Sequence, residues 1–197
     1  MIEHAGTPQL VRCAALGVTP AVAAQGSGVS SPGAGVIENS WLRVEVGADG
    51  SFEIVNRVSG ARTGRLNELE DEGDRGDACS FEFAGPLVVA RGLRGTVATA
   101  VRGDRATVRA SFEWPLPAAL RGDRLARLPA LVSCPVTVTV SLDAEARHVD
   151  VALNVDNRVR DHRLRAVCRT DARTATHVAG APFELADRTN GVPAGRG

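Results

Sequence analysis

The chain has 197 residues, of which 44% are hydrophobic and only 4% aromatic, so we expect one domain with a core of Val, Leu and Ala. The formal net charge is zero, which removes the electrostatic argument for nucleic acid or an anionic membrane as a partner. The four cysteines lie far apart without a C-x-x-C pair, which argues against a zinc knuckle and favours free thiols in a reducing, cytoplasmic compartment.

The first 35 residues are predicted to be a lead-in to the folded domain. Ala23 to Gly35 is rich in Gly, Ser and Pro, a composition typical of a flexible linker, and one short strand is expected at Leu10 to Val18. The amino terminus shows no secretory signal pattern and no apolar run long enough to span a bilayer. We therefore expect residues 36–188 to form the domain and residues 189–197 to be a tail.

From Val36 onward, short strands alternate with turns. Period-two alternation of apolar and polar residues predicts one hairpin around Gly47–Gly50 and a second around Arg102–Arg105. Val136 to Leu142 is the strongest strand, because its β-branched residues alternate. Further short strands are predicted at 61–66, 79–83, 87–90, 165–168 and 174–178. No window keeps a helical period over three turns, so the sequence predicts an all-β sandwich.

Two later segments complete the prediction of the fold. Pro115 to Pro135 contains four prolines and is predicted to be irregular, with a short helix at Ala118 to Leu128 as an alternative. Arg147 to Val155 alternates cleanly and is predicted to be a strand. Its core face is formed by Val149, Val151, Leu153 and Val155.

A dense polar cluster follows that strand at 157–165, which reads N-R-V-R-D-H-R-L-R. In it, Asp161 could form bidentate ion pairs with Arg163 or Arg165. We interpret the cluster as a structural ion-pair network at a strand end, because most such clusters are structural; contact with a ligand is the alternative. Its members are Asn157, Asp161, His162, Arg163 and Arg165.

The N-x-x-R-D-H-R-L-R stretch, preceded by such a strand, resembles the C-terminal β-sandwich region of glycoside hydrolase family 38, the α-mannosidases. Ile37 to Gly50 looks like the opening strand and turn of that region, and Leu66 to Asp77 looks like its acidic loop. The three stretches occur in the order of the family, and the resemblance runs from Leu10 to Arg188. It implies a large two-sheet antiparallel sandwich of the galactose-mutarotase type.

The resemblance also implies where the chemistry of the family is carried out. These enzymes hydrolyse α-mannosides with retention, using an Asp nucleophile and a zinc ion held by His and Asp residues of an upstream barrel. None of those groups can be carried onto this chain, which is expected to hold no catalytic residue, no metal ligand and no cofactor of its own. His148 and Asp150 have an H-x-D spacing, but a single pair is too few ligands for a zinc site.

Three residues are candidates for the rim of the barrel's active site. Asp74 and Asp77 end the acidic loop, for which a solvated turn is the alternative; the D-x-D-x-D-G order of a calcium loop is absent. The aromatic residue that the family usually has next is replaced by Ala78, which argues against sugar stacking. Arg188 ends a segment similar to the family's F-x-x-x-x-R segment, which approaches the substrate.

The sequence thus predicts a non-catalytic sandwich that buttresses an upstream catalytic barrel, its expected partner. A stand-alone carbohydrate-binding or adaptor module is the alternative, and it would need exposed Trp or Tyr. The chain offers only Trp41 and Trp114, of which Trp114 could be core. A third alternative is an inactive, truncated gene product.

Overall fold

The fold is all-β, as predicted from the sequence. A computed structural model of the chain describes residues 2–4, 7–9, 28–77, 79–169 and 174–190. Every regular element in these described residues is a β-strand. The strands are β1 (Ile2–His4), β2 (Thr7–Gln9), β3 (Val29–Gly33), β4 (Val36–Asn39), β5 (Leu42–Val46), β6 (Phe52–Asn56), β7 (Glu68–Gly73), β8 (Val88–Val89), β9 (Thr96–Arg102), β10 (Arg105–Pro117), β11 (Leu131–Asp143), β12 (Asp150–Val155), β13 (His162–Val167), β14 (Thr176–Ala181) and β15 (Glu184–Thr189).

Two four-stranded antiparallel sheets form the sandwich. Their strand orders are β3-β4-β5-β6 and β12-β11-β10-β9. Apolar residues at every second position of each sheet face the other sheet and exclude water between them. The largest fully buried members include Ile37, Val44, Val108, Trp114, Leu116, Val138 and Leu142. A third sheet, β13-β7-β8, joins the same core through Leu69 and the partly buried Leu164.

The long β10–β11 hairpin includes both ends of the segment predicted to be irregular, at 115–117 and 131–135, while 118–130 form its turn. β10 runs through Pro115 and β11 runs through Pro135, and the helix considered for Ala118 to Leu128 is wrong. β9 pairs with β10 only as far as Ser111, and β12 pairs with β11 only from Val136. Pro115 therefore lies beyond the end of β9, and Pro135 lies beyond the end of β12. The N–H group that each proline lacks is therefore not needed for a hydrogen bond to β9 or β12.

Both predicted hairpins are present, as β5–β6 and β9–β10. Part of the predicted linker is instead β3, whose Val29 is buried. The predicted strand at 79–83 is reduced to one bridge between Phe83 and Asp74, and the one at 61–66 to bridges at its two ends. The strand expected at 10–18, and the tail beyond 190, lie outside the described residues.

The predicted strand after Arg147 begins at Asp150, as β12, and its apolar face is only partly covered. Leu153 and Val155 pack against the core, whereas Val151 is 44% exposed. β12 pairs only with β11, so it is the edge strand of its sheet. The predicted face is correct, but its burial is incomplete.

Candidate functional site

The acidic segment predicted to be a loop is the central strand of the third sheet. All six residues of β7 are buried, from Glu68 to Gly73. Its side chains alternate, so Glu68, Glu70 and Glu72 share one face, while Leu69 and Asp71 share the other. Buried carboxylates require paired cations, because an unpaired buried charge costs several kcal/mol. The loop expected at Leu66 to Asp77 is therefore wrong for Glu68 to Gly73, and so is the alternative of a solvated turn there.

The paired cations come from β13, which lies beside β7 in antiparallel register. Arg163 is opposite Glu72 and Arg165 is opposite Glu70. Arg163 Nη2 donates to Glu72 Oε2 at 2.6 Å, and Arg165 Nη2 lies 3.0 Å from Glu70 Oε2 and 2.8 Å from Glu72 Oε1. The guanidinium of Arg163 also stacks on the ring of Phe81, 3.3 Å from its centroid. In each of these ion pairs, β7 supplies the carboxylate and β13 supplies the guanidinium.

Glu68 continues this row at the other end of β7. Its Oε2 accepts from Arg169 Nε at 2.8 Å, and its Oε1 accepts from Arg91 Nε at 2.9 Å. Arg169 Nη2 also reaches Glu70 Oε1 at 2.9 Å. The hydrogen bonds from Arg91 and Arg169 hold the pKa of Glu68 below its ordinary value, against the opposing effect of burial. The same bond to Glu68 raises the pKa of Arg169.

We call this face the charge ladder: Glu68, Glu70, Glu72, Arg91, Arg163, Arg165 and Arg169. Its carboxylate side chains are only 2–12% exposed, whereas its arginine side chains are 36–60% exposed. The buried carboxylates therefore fix the arginines in place, and the outer edges of the guanidinium groups remain in contact with water. The result is an ordered cationic rim above a row of buried acids.

The opposite face of the same strand pair holds a buried carboxylate. Asp71 Oδ1 lies 2.5 Å from His162 Nδ1, and its Oδ2 contacts Nη2 of Arg127, which comes from the β10–β11 turn. The three side chains are 0%, 6% and 4% exposed. Arg127 thereby fastens the tip region of the long hairpin to the third sheet.

The structure separates the predicted polar cluster into parts. His162, Arg163 and Arg165 enter β13 and bind the acids of β7. Asp161 pairs with neither neighbouring arginine, so that expectation is wrong: its Oδ1 lies 3.2 Å from Arg124 Nη1, and its backbone has a φ of 54°. Asn157 accepts from the Val159 amide at 3.1 Å and shapes the preceding turn. The predicted cluster thus consists of the first residues of β13 and the turn that precedes them.

Asp74 and Asp77 bond to backbone groups of their own loop, and Arg188 belongs to the separate β14–β15 sheet. Asp74 accepts from the amides of Gly76 and Glu82, and Asp77 accepts from Cys79 and Ser80. The amide of Cys79 and the hydroxyl and amide of Ser80 hold the pKa of Asp77 below its ordinary value. Arg188 is exposed in β15, opposite His177. A role for these three residues at a substrate rim stays a prediction.

The zinc ion that the family resemblance implies does not fit the residues described here. Among residues 28–77, 79–169 and 174–190, no three His, Cys, Asp or Glu side chains come together as potential ligands. Asp150 of the H-x-D pair forms an ion pair with Arg105 instead. No step of a reaction is therefore assigned to a metal on this chain.

Sequence reasoning missed the roles of seven residues: Glu68, Glu70, Asp71, Glu72, Arg91, Arg127 and Arg169. The pairing of Glu70 and Glu72 with β13 had a signal, because E-L-E-D-E and H-R-L-R alternate with complementary charge and match when placed antiparallel. Asp71 lies opposite Leu164 and has no such signal. Arg91 and Arg127 come from elsewhere in the chain and carry no local signal of their pairing.

The fold of this chain is also present in part of two solved structures of larger proteins. Two solved structures share it over 87% of this chain: an α-mannosidase from Enterococcus faecalis V583, with a TM-score of 0.79 and 23% identity, and a glycosyl hydrolase family 38 protein from Enterococcus faecalis, with 0.78 and 21%. The family resemblance drawn from the sequence, to glycoside hydrolase family 38, is thereby confirmed at the level of the fold.

The sequence comparison agrees with the structural one. A curated protein of Halalkalibacterium halodurans named "Putative mannosylglycerate hydrolase" is 24% identical over an alignment of 184 positions, and the match covers 82% of this chain. No family model matches the chain. The matched part is 20% of that protein and 21–23% of the two solved structures, so the chain spans about a fifth of its relatives. In the part of the chain that the structure describes, no helix is long and apolar enough to cross a membrane.

Proposed function

We propose that the chain is the non-catalytic C-terminal sandwich of an α-mannosidase-like glycoside hydrolase and works together with a catalytic barrel encoded upstream. The observation that carries the proposal is the match of 87% of this chain to about a fifth of two family-38 structures. The absence of a potential ligand triad among the described residues supports placing the zinc chemistry in the barrel.

In this proposal the charge ladder is the surface that meets the barrel. Its arginines are held by buried carboxylates and so lose little conformational freedom when a partner binds. Each guanidinium keeps an outer edge that can donate to carboxylates or carbonyls of the barrel. The function is to support the barrel and, through it, the hydrolysis of α-mannosidic bonds in mannose metabolism.

The alternative, a stand-alone carbohydrate-binding module, has less support from the aromatic residues. Trp114 is buried in the core, and the ring of Trp41 is covered by the guanidinium of Arg147, 3.9 Å from its centroid. Neither ring offers the open face on which a sugar would stack. A cytoplasmic location is part of the proposal and is supported by the free thiols of Cys79, Cys134 and Cys168.

A chimera tests the proposal directly. This chain replaces the matching segment of the Enterococcus faecalis α-mannosidase, and hydrolysis of an aryl α-mannoside is measured beside the same enzyme with the segment deleted. We expect the chimera to be folded and active, and the purified chain alone to be inactive with or without added zinc. A chimera no more active than the deletion, or zinc-dependent turnover by the isolated chain, would contradict the proposal. Replacing Arg163 and Arg165 by Ala in the chimera tests the ladder itself.

A further inference from the structure

The outer face of the β9–β10 pair, on the far side of its sheet from the core, contains an open groove of about 510 Å³. Ala98 and Ala100 of β9 and Thr107 of β10 lie along it, and Arg102, Arg105 and Arg109 line it as well. The register explains its shape: Arg109 is opposite Ala98 and Thr107 is opposite Ala100, so short side chains leave space between longer ones. The volume lies within the range of small-molecule sites.

The cations stand at the two ends of this groove. Arg102 and Arg105 are directly opposite each other at one end, and Arg109 is four residues further along β10. A strand rises about 3.3 Å per residue, so the Cα atoms of Arg105 and Arg109 are separated by roughly 13 Å. That distance accommodates a body the size of a sugar between two cationic ends.

Only one of these arginines is neutralised. Arg105 Nε lies 3.0 Å from Asp143 Oδ1, and its guanidinium also contacts Asp150. Arg102 and Arg109 form no ion pair with any described residue, and Asp104 in the intervening turn pairs with neither. Arg102 and Arg109 are therefore the two arginines of the groove that can pair with a bound anion.

We propose that this groove binds a small organic anion of sugar size, which carries a phosphate or a carboxylate group. The arginine at one end of the groove donates charge-assisted hydrogen bonds to the oxyanion, and the arginine at the other end donates to hydroxyl oxygens of the sugar. Thr107, between Arg102 and Arg109, supplies a hydroxyl for the polar body of the ligand. The alanine floor supplies room rather than polar contacts. Anion binding in this groove does not depend on the catalytic barrel, so it is tested independently of the proposed function.

Binding by the full chain is measured calorimetrically at low ionic strength, where exposed charges are least screened. The probes are glucose 6-phosphate, glucuronate, neutral glucose and inorganic phosphate. We expect saturable binding of at least one of the two sugar anions, about tenfold or more tighter than inorganic phosphate, and none of glucose. Which sugar anion binds more tightly identifies the charged group. Equal binding of inorganic phosphate, or no binding of either sugar anion, overturns the proposal.

Three variants locate the site. Arg102→Ala and Arg109→Ala should each weaken binding about tenfold or more, the effect of losing a hydrogen bond to a charged group. Ala100→Leu fills the floor of the groove without changing its charge and should weaken binding as well. Arg160→Ala removes an exposed arginine elsewhere and should leave binding unchanged. All four positions are exposed, so thermal melts should show intact folds. Equal losses in all four variants would refute the site.

Discussion

Asp71 and His162 are 91 positions apart in the chain, and they meet where β7 and β13 pair, with Asp71 Oδ1 2.5 Å from His162 Nδ1. Arg127 contacts the other oxygen of the same carboxylate. All three side chains are almost entirely removed from water, so none can exchange its partners for solvent without opening the structure. One carboxylate thus holds together the third sheet and the long hairpin.

Asp71→Ala should therefore lower the free energy of unfolding by about 3–5 kcal/mol, because it leaves the buried guanidinium of Arg127 without its partner. Asp156→Ala is the matched control. Asp156 pairs with Arg158 on the surface, both about half exposed, and its loss should cost about 0–1 kcal/mol. Urea melts of the two variants measure the difference. Similar costs would mean that the Asp71 contacts are not buried in solution.

The backbone conformation of Asp161 predicts which of two substitutions at this position is the more stable. Its φ of 54° lies in the left-handed region, which glycine adopts readily and alanine adopts at a cost of about 1–2 kcal/mol. Both Asp161→Gly and Asp161→Ala lose the exposed contact with Arg124, worth about 0–1 kcal/mol. The glycine variant should therefore be the more stable of the two in thermal melts. The opposite order would place Asp161 in another conformation.

The lowered pKa of Glu68 predicts how the free energy of unfolding depends on pH. Arg91 and Arg169 lower its pKa in the folded protein, so the ionised carboxylate stabilises the fold above the ordinary glutamate pKa. This contribution is lost as the pH falls through the lowered folded value, because protonation removes the charge that the arginines bind. Glu68→Gln should consequently cost most near neutral pH and progressively less in acid.

Urea melts of Glu68→Gln and wild type from neutral pH down to strong acid check this expectation. Glu53→Gln is the control, since Glu53 pairs with Arg62 at the exposed surface and its replacement should have a small effect throughout. A cost of Glu68→Gln that stays constant with pH would show that the carboxylate's charge contributes nothing to the fold.

Gly50 and Gly60 share a left-handed conformation but differ in their surroundings. Their φ values are 74° and 75°. A Cβ atom on Gly50 would lie 2.5 Å from Val138 Cγ2, whereas one on Gly60 would meet no atom within 4 Å. Gly60→Ala should cost about 1–2 kcal/mol from backbone strain alone. Gly50→Ala should cost about 1–3 kcal/mol more, because it also crowds the core. Equal melting temperatures would disprove the close packing of this turn.

Local pattern was sufficient for most of the sandwich. Alternation in Leu42–Val46 and in Val136–Leu142 predicted strands, and Gly47–Gly50 predicted the turn that joins β5 to β6. These features depend on residues close together in the sequence, so a period of two and a turn signal determine them. The same reasoning failed for Pro115 and Pro135, since whether a proline breaks a strand depends on the presence of another strand beside it.

The ion pairs of the charge ladder form only in the tertiary structure. Read alone, E-L-E-D-E-G at 68–73 is too acidic to be buried, because desolvating carboxylates costs more than a short strand gains. Burial becomes favourable only when arginines separated from these acids by 91 to 101 positions arrive on β13 and just after it. Sequence proximity suggested that Asp161 would pair with Arg163 or Arg165, but the register across β7 gives both arginines to Glu70 and Glu72. The sequence by itself therefore determined most strands of the two sandwich sheets, through local alternation. Only the folded chain decided which charges meet, because strand register depends on the packing of the whole core.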